Sequence, residues 1–176
     1  MLDKALNDSK SDILDKLSFD SIAHFEKSFK TESFTDESGS RKQWKKRVYT
    51  TRSKSRGTLE ARGYMKKAFT FRKQGANKVR VINNADYSEV HNEGDSYKVT
   101  KKQLAYFRFR AKSAIREDDA QFWSNMARKR VGSTVIIPER QFMGESKPLV
   151  NKHKRSILSI LNKKAKASSK SSKVKI

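Results

Sequence analysis

"KAFTFRKQGANKVRVINN", residues 67–84, decides the fold class. Phe69 and Phe71 alternate with polar residues, Val79 and Val81 do the same, and Gly75 sits in the short link between the two runs. A period of two on either side of a glycine-bearing turn predicts an antiparallel hairpin with one apolar face and one wet, basic face. The segments around it carry helical spacing instead. The chain therefore reads as α+β.

Upstream, residues 10–30 place Ile13, Leu14, Leu17, Ile22, Phe25 and Phe29 roughly at three- and four-residue spacing, which predicts a helix with one apolar side. Ser11 stands as its cap, and Asp12 and Asp15 suit the positive end of its dipole. "KTESFTDESGSRKQWKKR" (30–47) then turns around Gly39, and Phe34 and Trp44 are expected to pin it to the body. "TLEARGYMKK" (58–67) reads as a short helix or turn leading into the hairpin.

Downstream, "SYKVT" reads as a short strand, and Thr100 with Gln103 forms a capping box that opens a helix over 101–115. Leu104, Phe107 and Ala111 are its expected buried stripe. A second helix is predicted over 118–129, with Phe122, Trp123 and Met126 turned inward. "GSTVIIP" reads as a buried strand ended by Pro138, and a last helix follows Pro148, with Leu149, Ile157, Leu158 and Leu161 as its apolar side. The expected architecture is an N-terminal helix and a small antiparallel sheet built on 67–84 and 133–137, with helices packed on one side. The domain spans 1–160, and 161–176 is a low-complexity cationic tail expected to be disordered unless bound.

Composition limits the function classes. The chain has 176 residues, of which 35% are hydrophobic, and a mean hydropathy of −0.89. Ten Phe, five Tyr and two Trp nonetheless supply a core, which argues against a wholly disordered polycation. No cysteine is present, so disulfides and thiolate metal sites are excluded, in keeping with a reducing compartment. No apolar run approaches the ~18 residues of a membrane span, and "MLDKALNDSKSD" has no signal-peptide core. The expectation is a soluble protein made in a cytoplasm, with no membrane partner. The net charge of +22 is segregated: residues 1–37 carry five Lys against nine acids, while 41–80 carry fifteen Lys and Arg against Glu60 alone. Distinct charged faces follow.

"ADYSEVHNEGD" (85–95) concentrates Asp86, Glu89, His91, Glu93 and Asp95, the residue types of metal sites and of general acids and bases. Placed on a helix, however, His91 shares a face with Tyr87, and Glu89 shares another with Glu93. The acids are thereby divided from the histidine. No HExxH and no glycine-rich phosphate loop accompanies them, and His24 and His153 lie in unrelated settings. The stretch therefore reads as a corner, started by an Asn or Asp cap and stopped by Gly94 in the left-handed conformation. No catalytic residue, metal ligand or cofactor is expected.

Four stretches occur in a particular order: "GYMKKAFTF", "VINNADYSEVHNEG", "VTKKQLAYFRFRAKS" and "FWSNMARKRVGSTVIIPERQFMG". Together they resemble the phage virion morphogenesis family, the tail completion proteins of the Mu-like protein G type. The likeness rests on Gly63 with Met65 and Lys66, on Tyr87, His91 and Gly94, and on Pro138, Arg140, Phe142 and Gly144. "FEKSF" and Trp44 resemble that family's Phe-rich helix and following Trp, and the likeness covers roughly residues 15–160. Ser88, Ala68 and Lys66 depart from the pattern, which has Ala, Ser and Arg there.

The resemblance implies a bacteriophage structural protein of the head–tail neck, active in virion assembly and present in the host cytoplasm while particles are built. It implies a ring of copies, without enzymatic chemistry, meeting tail terminator and head-closure or connector proteins. The basic run offers candidate contacts at Arg41, Lys42, Trp44, Lys45, Lys46, Arg47, Arg52, Lys54 and Arg56, either to acidic protein surfaces or to passing double-stranded DNA. Trp44, Tyr49 and Tyr64 are read as core or interface anchors. The alternative reading is a non-specific nucleic-acid-binding protein of histone-like or ribosomal type.

Overall fold

The computed structural model describes residues 2–46, 57–59 and 63–172, and its architecture is α+β. Helix α1 (Leu2–Thr31) is followed by β1 (Ser33–Thr35), β2 (Arg41–Gln43), the single turn α2 (Tyr64–Lys67), and the hairpin β3 (Phe69–Gln74) and β4 (Lys78–Asn83). Then come α3 (Ser88–Glu93), β5 (Asp95–Lys98), α4 (Lys101–Ser113), α5 (Glu117–Ala127), β6 (Thr134–Ile137) and α6 (Lys147–Ser172).

The hairpin forms as expected, with Phe71 opposite Val81 and Gly75 at positive φ in the turn. The sheet does not. Strand β6 pairs with β5, Tyr97 facing Val135, and among the described residues three separate two-stranded antiparallel ribbons replace the single sheet expected on 67–84 and 133–137. Nor is β6 a buried strand: Ile136 is 76% exposed, because a ribbon of two strands covers only one of its faces.

Two apolar cores result. In the larger, Phe29 is fully buried and meets Trp44 edge-on at 5.4 Å and Phe142 at 5.1 Å, with Phe25, Phe34, Met65, Phe69, Ala85 and Leu149 around them. Edge-to-face and tilted pairs of this kind add stability beyond the area they bury. The smaller core joins Val99, Leu104 and Phe107 to Trp123, Met126, Ala127 and Val135. It is built on α4, which opens on the expected capping box: Gln103 N donates to Thr100 Oγ1 and Thr100 N donates to Gln103 Oε1. Trp123 stacks on Phe107 at 5.9 Å, while Phe122 is partly exposed and Ala111 only half-buried. The α4–α5 pair is inserted between the two strands of the β5–β6 ribbon, and its link holds Ile115, 99% exposed.

Helix boundaries differ from expectation at both ends of the chain. Helix α1 begins at Leu2, because no Gly or Pro interrupts 2–10, so Ser11 is not a cap; its hydroxyl accepts from Lys73 Nζ on the hairpin. Helix α6 continues through the stretch expected to be disordered, as far as Ser172. Lys and Ala there are strong helix formers, and nothing in "KKAKASSKSS" stops the helix. Lys164 also reaches Asp12 on α1 at 2.7 Å. Leu149 is buried in the main core, but Leu158 and Leu161 face solvent. The α1–α6 seam is instead polar: buried Asp20 accepts from Lys16, Lys152 and Ser156, and Ser21 Oγ lies 3.2 Å from His153 Nε2. Among the described residues no helix is long and apolar enough to cross a membrane.

Candidate functional site

The corner and the segment after β6, fifty residues apart in the chain, fold into one joint. Arg140 N donates to the carbonyl of His91 at 2.8 Å. The side-chain oxygen of Asn92 accepts from both Phe142 N (2.9 Å) and Met143 N (3.0 Å). Trp44 Nε1 donates to the carbonyl of Gln141 at 2.6 Å, and Arg140 Nε donates to that of Lys45 at 2.9 Å. Pro138, which brings no N–H, ends the β5–β6 ladder just after the Asp95–Ile137 pair. The chain is then free to turn toward the corner, where Phe142 enters the main core fully buried.

Gly94 permits the closest approach. It has φ 77° and ψ 158°, so it does not stop α3 in the left-handed helical conformation that was expected; this is an extended region open almost only to glycine. A β-carbon there would lie 2.9 Å from the backbone nitrogen of Glu139. Nor does an Asn cap α3: Asn83 Oδ1 accepts from Ala85 N, and the cap position belongs to Tyr87 without a side-chain bond. Gly144 lies exposed beyond the joint.

The corner separates its titratable groups as expected. The rings of Tyr87 and His91 meet edge-on at 6.0 Å, while Glu89 and Glu93 are exposed. His91 is pulled below its ordinary pKa by burial and then by the Arg140 guanidinium, so it is neutral at pH 7. Its Nδ1 is buried with no hydrogen-bond partner among the described residues. Among those residues no group of three or more His, Asp or Glu has the arrangement of a metal site.

Arg41, Lys42, Lys45 and Lys46 are exposed, and Lys42 lies 3.7 Å from Asp36. Trp44 is corrected only as a surface contact: it is 6% exposed and lies in the main core, in keeping with its reading as a pin and core anchor. Arg47, Tyr49, Arg52, Lys54 and Arg56 lie outside the described residues. Tyr64 is exposed and tilts against Tyr87 at 6.3 Å. Asn92, which closes the joint, carried no sequence signal, since its partners lie far along the chain. Nothing in the sequence marked α4 as a surface either, yet it displays Tyr106 and Phe109 among Lys101, Lys102, Arg108, Arg110 and Lys112. No family model, no curated protein and no solved structure matches the chain.

Proposed function

We propose that this chain is a structural virion protein of the head–tail neck. Copies assemble as a ring and dock through basic surfaces on tail terminator, head-closure or connector proteins, by binding rather than by catalysis. One observation carries this reading: the two stretches that bear the family resemblance, Tyr87–Gly94 and Pro138–Gly144, interlock. The His91 carbonyl and the Asn92 side chain are committed to the N–H groups of Arg140, Phe142 and Met143, and the Phe142 ring is fully buried in the core. A joint so built holds a shape and presents no converging reactive groups. The segregated charge supports head-to-tail contact between copies, which closes into a ring when the rotation between them allows. Mass spectrometry of particles purified from the virus that encodes the chain should find it at a fixed copy number, and imaging should place it at the neck. Its absence from those particles would remove the proposal.

A second reading, non-specific nucleic-acid binding, is favoured by α4, where five cations and two exposed aromatic rings share a helix without a single acid. Cations track phosphates, and aromatic rings stack on bases of unpaired strands. Affinity for random-sequence DNA that falls steeply with salt, in a protein missing from particles, would establish that reading instead.

A further inference from the structure

A cleft of about 340 Å³ opens between α1 and the β1–β2 ribbon. His24, Lys27 and Thr31 reach it from one side of α1, at the spacing that puts residues on a single helical face. Ser33, Thr35 and Arg41 reach it from the ribbon, where Thr35 and Arg41 are directly opposite one another. Among the described residues, none that lines the cleft carries a carboxylate.

Its polar groups are ordered by a relay of hydroxyls. Arg41 Nε donates to Ser33 Oγ at 3.0 Å, and Ser33 Oγ donates in turn to Thr31 Oγ1 at 3.0 Å. Thr31 passes its own proton to a backbone carbonyl, that of Lys27 or Ser33. Fixing Arg41 through Nε leaves the two terminal nitrogens of its fork for another acceptor, the geometry that suits oxyanions. Two acids adjoin β1 in sequence, and both are engaged elsewhere. Glu32 accepts from Thr58 N. Asp36 accepts from Ser38 and Ser40 and pairs with Lys42. Lys27 and Arg41 thus share a concave site without a neutralising partner among the described residues, and such a cleft concentrates positive potential.

We infer that this cleft binds a phosphate-bearing anion, gripped by Lys27, Arg41 and Thr35, with Ser33 and Thr31 orienting the arginine. Its volume exceeds that of one phosphate, so it has space for a group attached to it. The inference is independent of the neck reading.

Titration of the full chain with inorganic phosphate, at constant ionic strength and followed by calorimetry, tests it. Saturable one-site binding is expected. Arg41→Gln and Lys27→Gln should each weaken it on the order of tenfold, the scale of a hydrogen bond to a charged group. Lys98→Gln, a change at an exposed residue on β5, should leave it unchanged. The Lys27 side chain has no hydrogen bond to lose among the described residues, so its variant reports on the site even if Arg41→Gln disturbs the ribbon. Comparing deoxyadenosine 5′-monophosphate with inorganic phosphate identifies the source: tighter binding of the nucleotide means a nucleotide-borne phosphate, and equal binding means the free ion. Binding that never saturates, or that falls equally in Lys98→Gln, is diffuse attraction to a cationic protein and overturns the inference.

Discussion

Gly94 and Asn92 are the two residues on which the joint turns, for opposite reasons. Gly94→Ala adds a β-carbon 2.9 Å from Glu139 N at a φ of 77°, so both space and backbone resist it. A loss of about 2 kcal/mol or more is expected, measured as a lower denaturant midpoint with unchanged slope. Asn92→Ala removes one oxygen that serves two N–H groups and should cost about 1–3 kcal/mol. His91→Phe should act differently, because it removes a buried nitrogen without a partner and keeps a ring against Tyr87. Stability equal to the parent, or higher by about 1 kcal/mol, is expected in a thermal melt. A large loss would show that the histidine does more than fill the corner.

Among the elements, the α1–α6 seam makes a prediction about acid. Burial raises the Asp20 carboxyl, but the Ser156, Lys16 and Lys152 bonds outweigh it and hold the pKa at about 2, against 3.8 ordinarily. Because the folded value is depressed, Asp20 contributes stability that is complete above pH 4 and lost as pH falls toward 2, about 2 kcal/mol in all. Asp20→Asn should lower the melting temperature at pH 7 and flatten that acid limb. His24, His91 and His153 are also depressed from 6.5, each first by burial. Their contribution is complete above pH 6.5 and declines below it, so stability should begin to fall as the pH drops below 6.5, before Asp20 titrates. The β3–β4 hairpin was legible because alternation and turn lie within eighteen residues. The β5–β6 pairing was not, since two helices separate its strands and "TVII" has the composition of a buried strand. The corner's division of His91 from its acids was legible from helical spacing alone. Its partner segment was not, because Asn92 finds Phe142 N only through the tertiary fold.

At the scale of the whole molecule, two cores joined by a ribbon of four residue pairs predict two stabilities. Phe29→Ala empties the centre of the larger core and should cost about 3–5 kcal/mol. Phe107→Ala should instead release the α4–α5 pair. Hydrogen exchange should then show amides of 101–127 unprotected while those of the β3–β4 hairpin stay slow. Simultaneous loss in both regions would mean one cooperative unit. The α4–α5 link also has a practical use. Ile115 stands almost wholly in water between the two helices, so a short epitope grafted there intrudes on neither core. An antibody fragment directed at that epitope would then mark where the protein resides in a micrograph, with the folded parts left as they are.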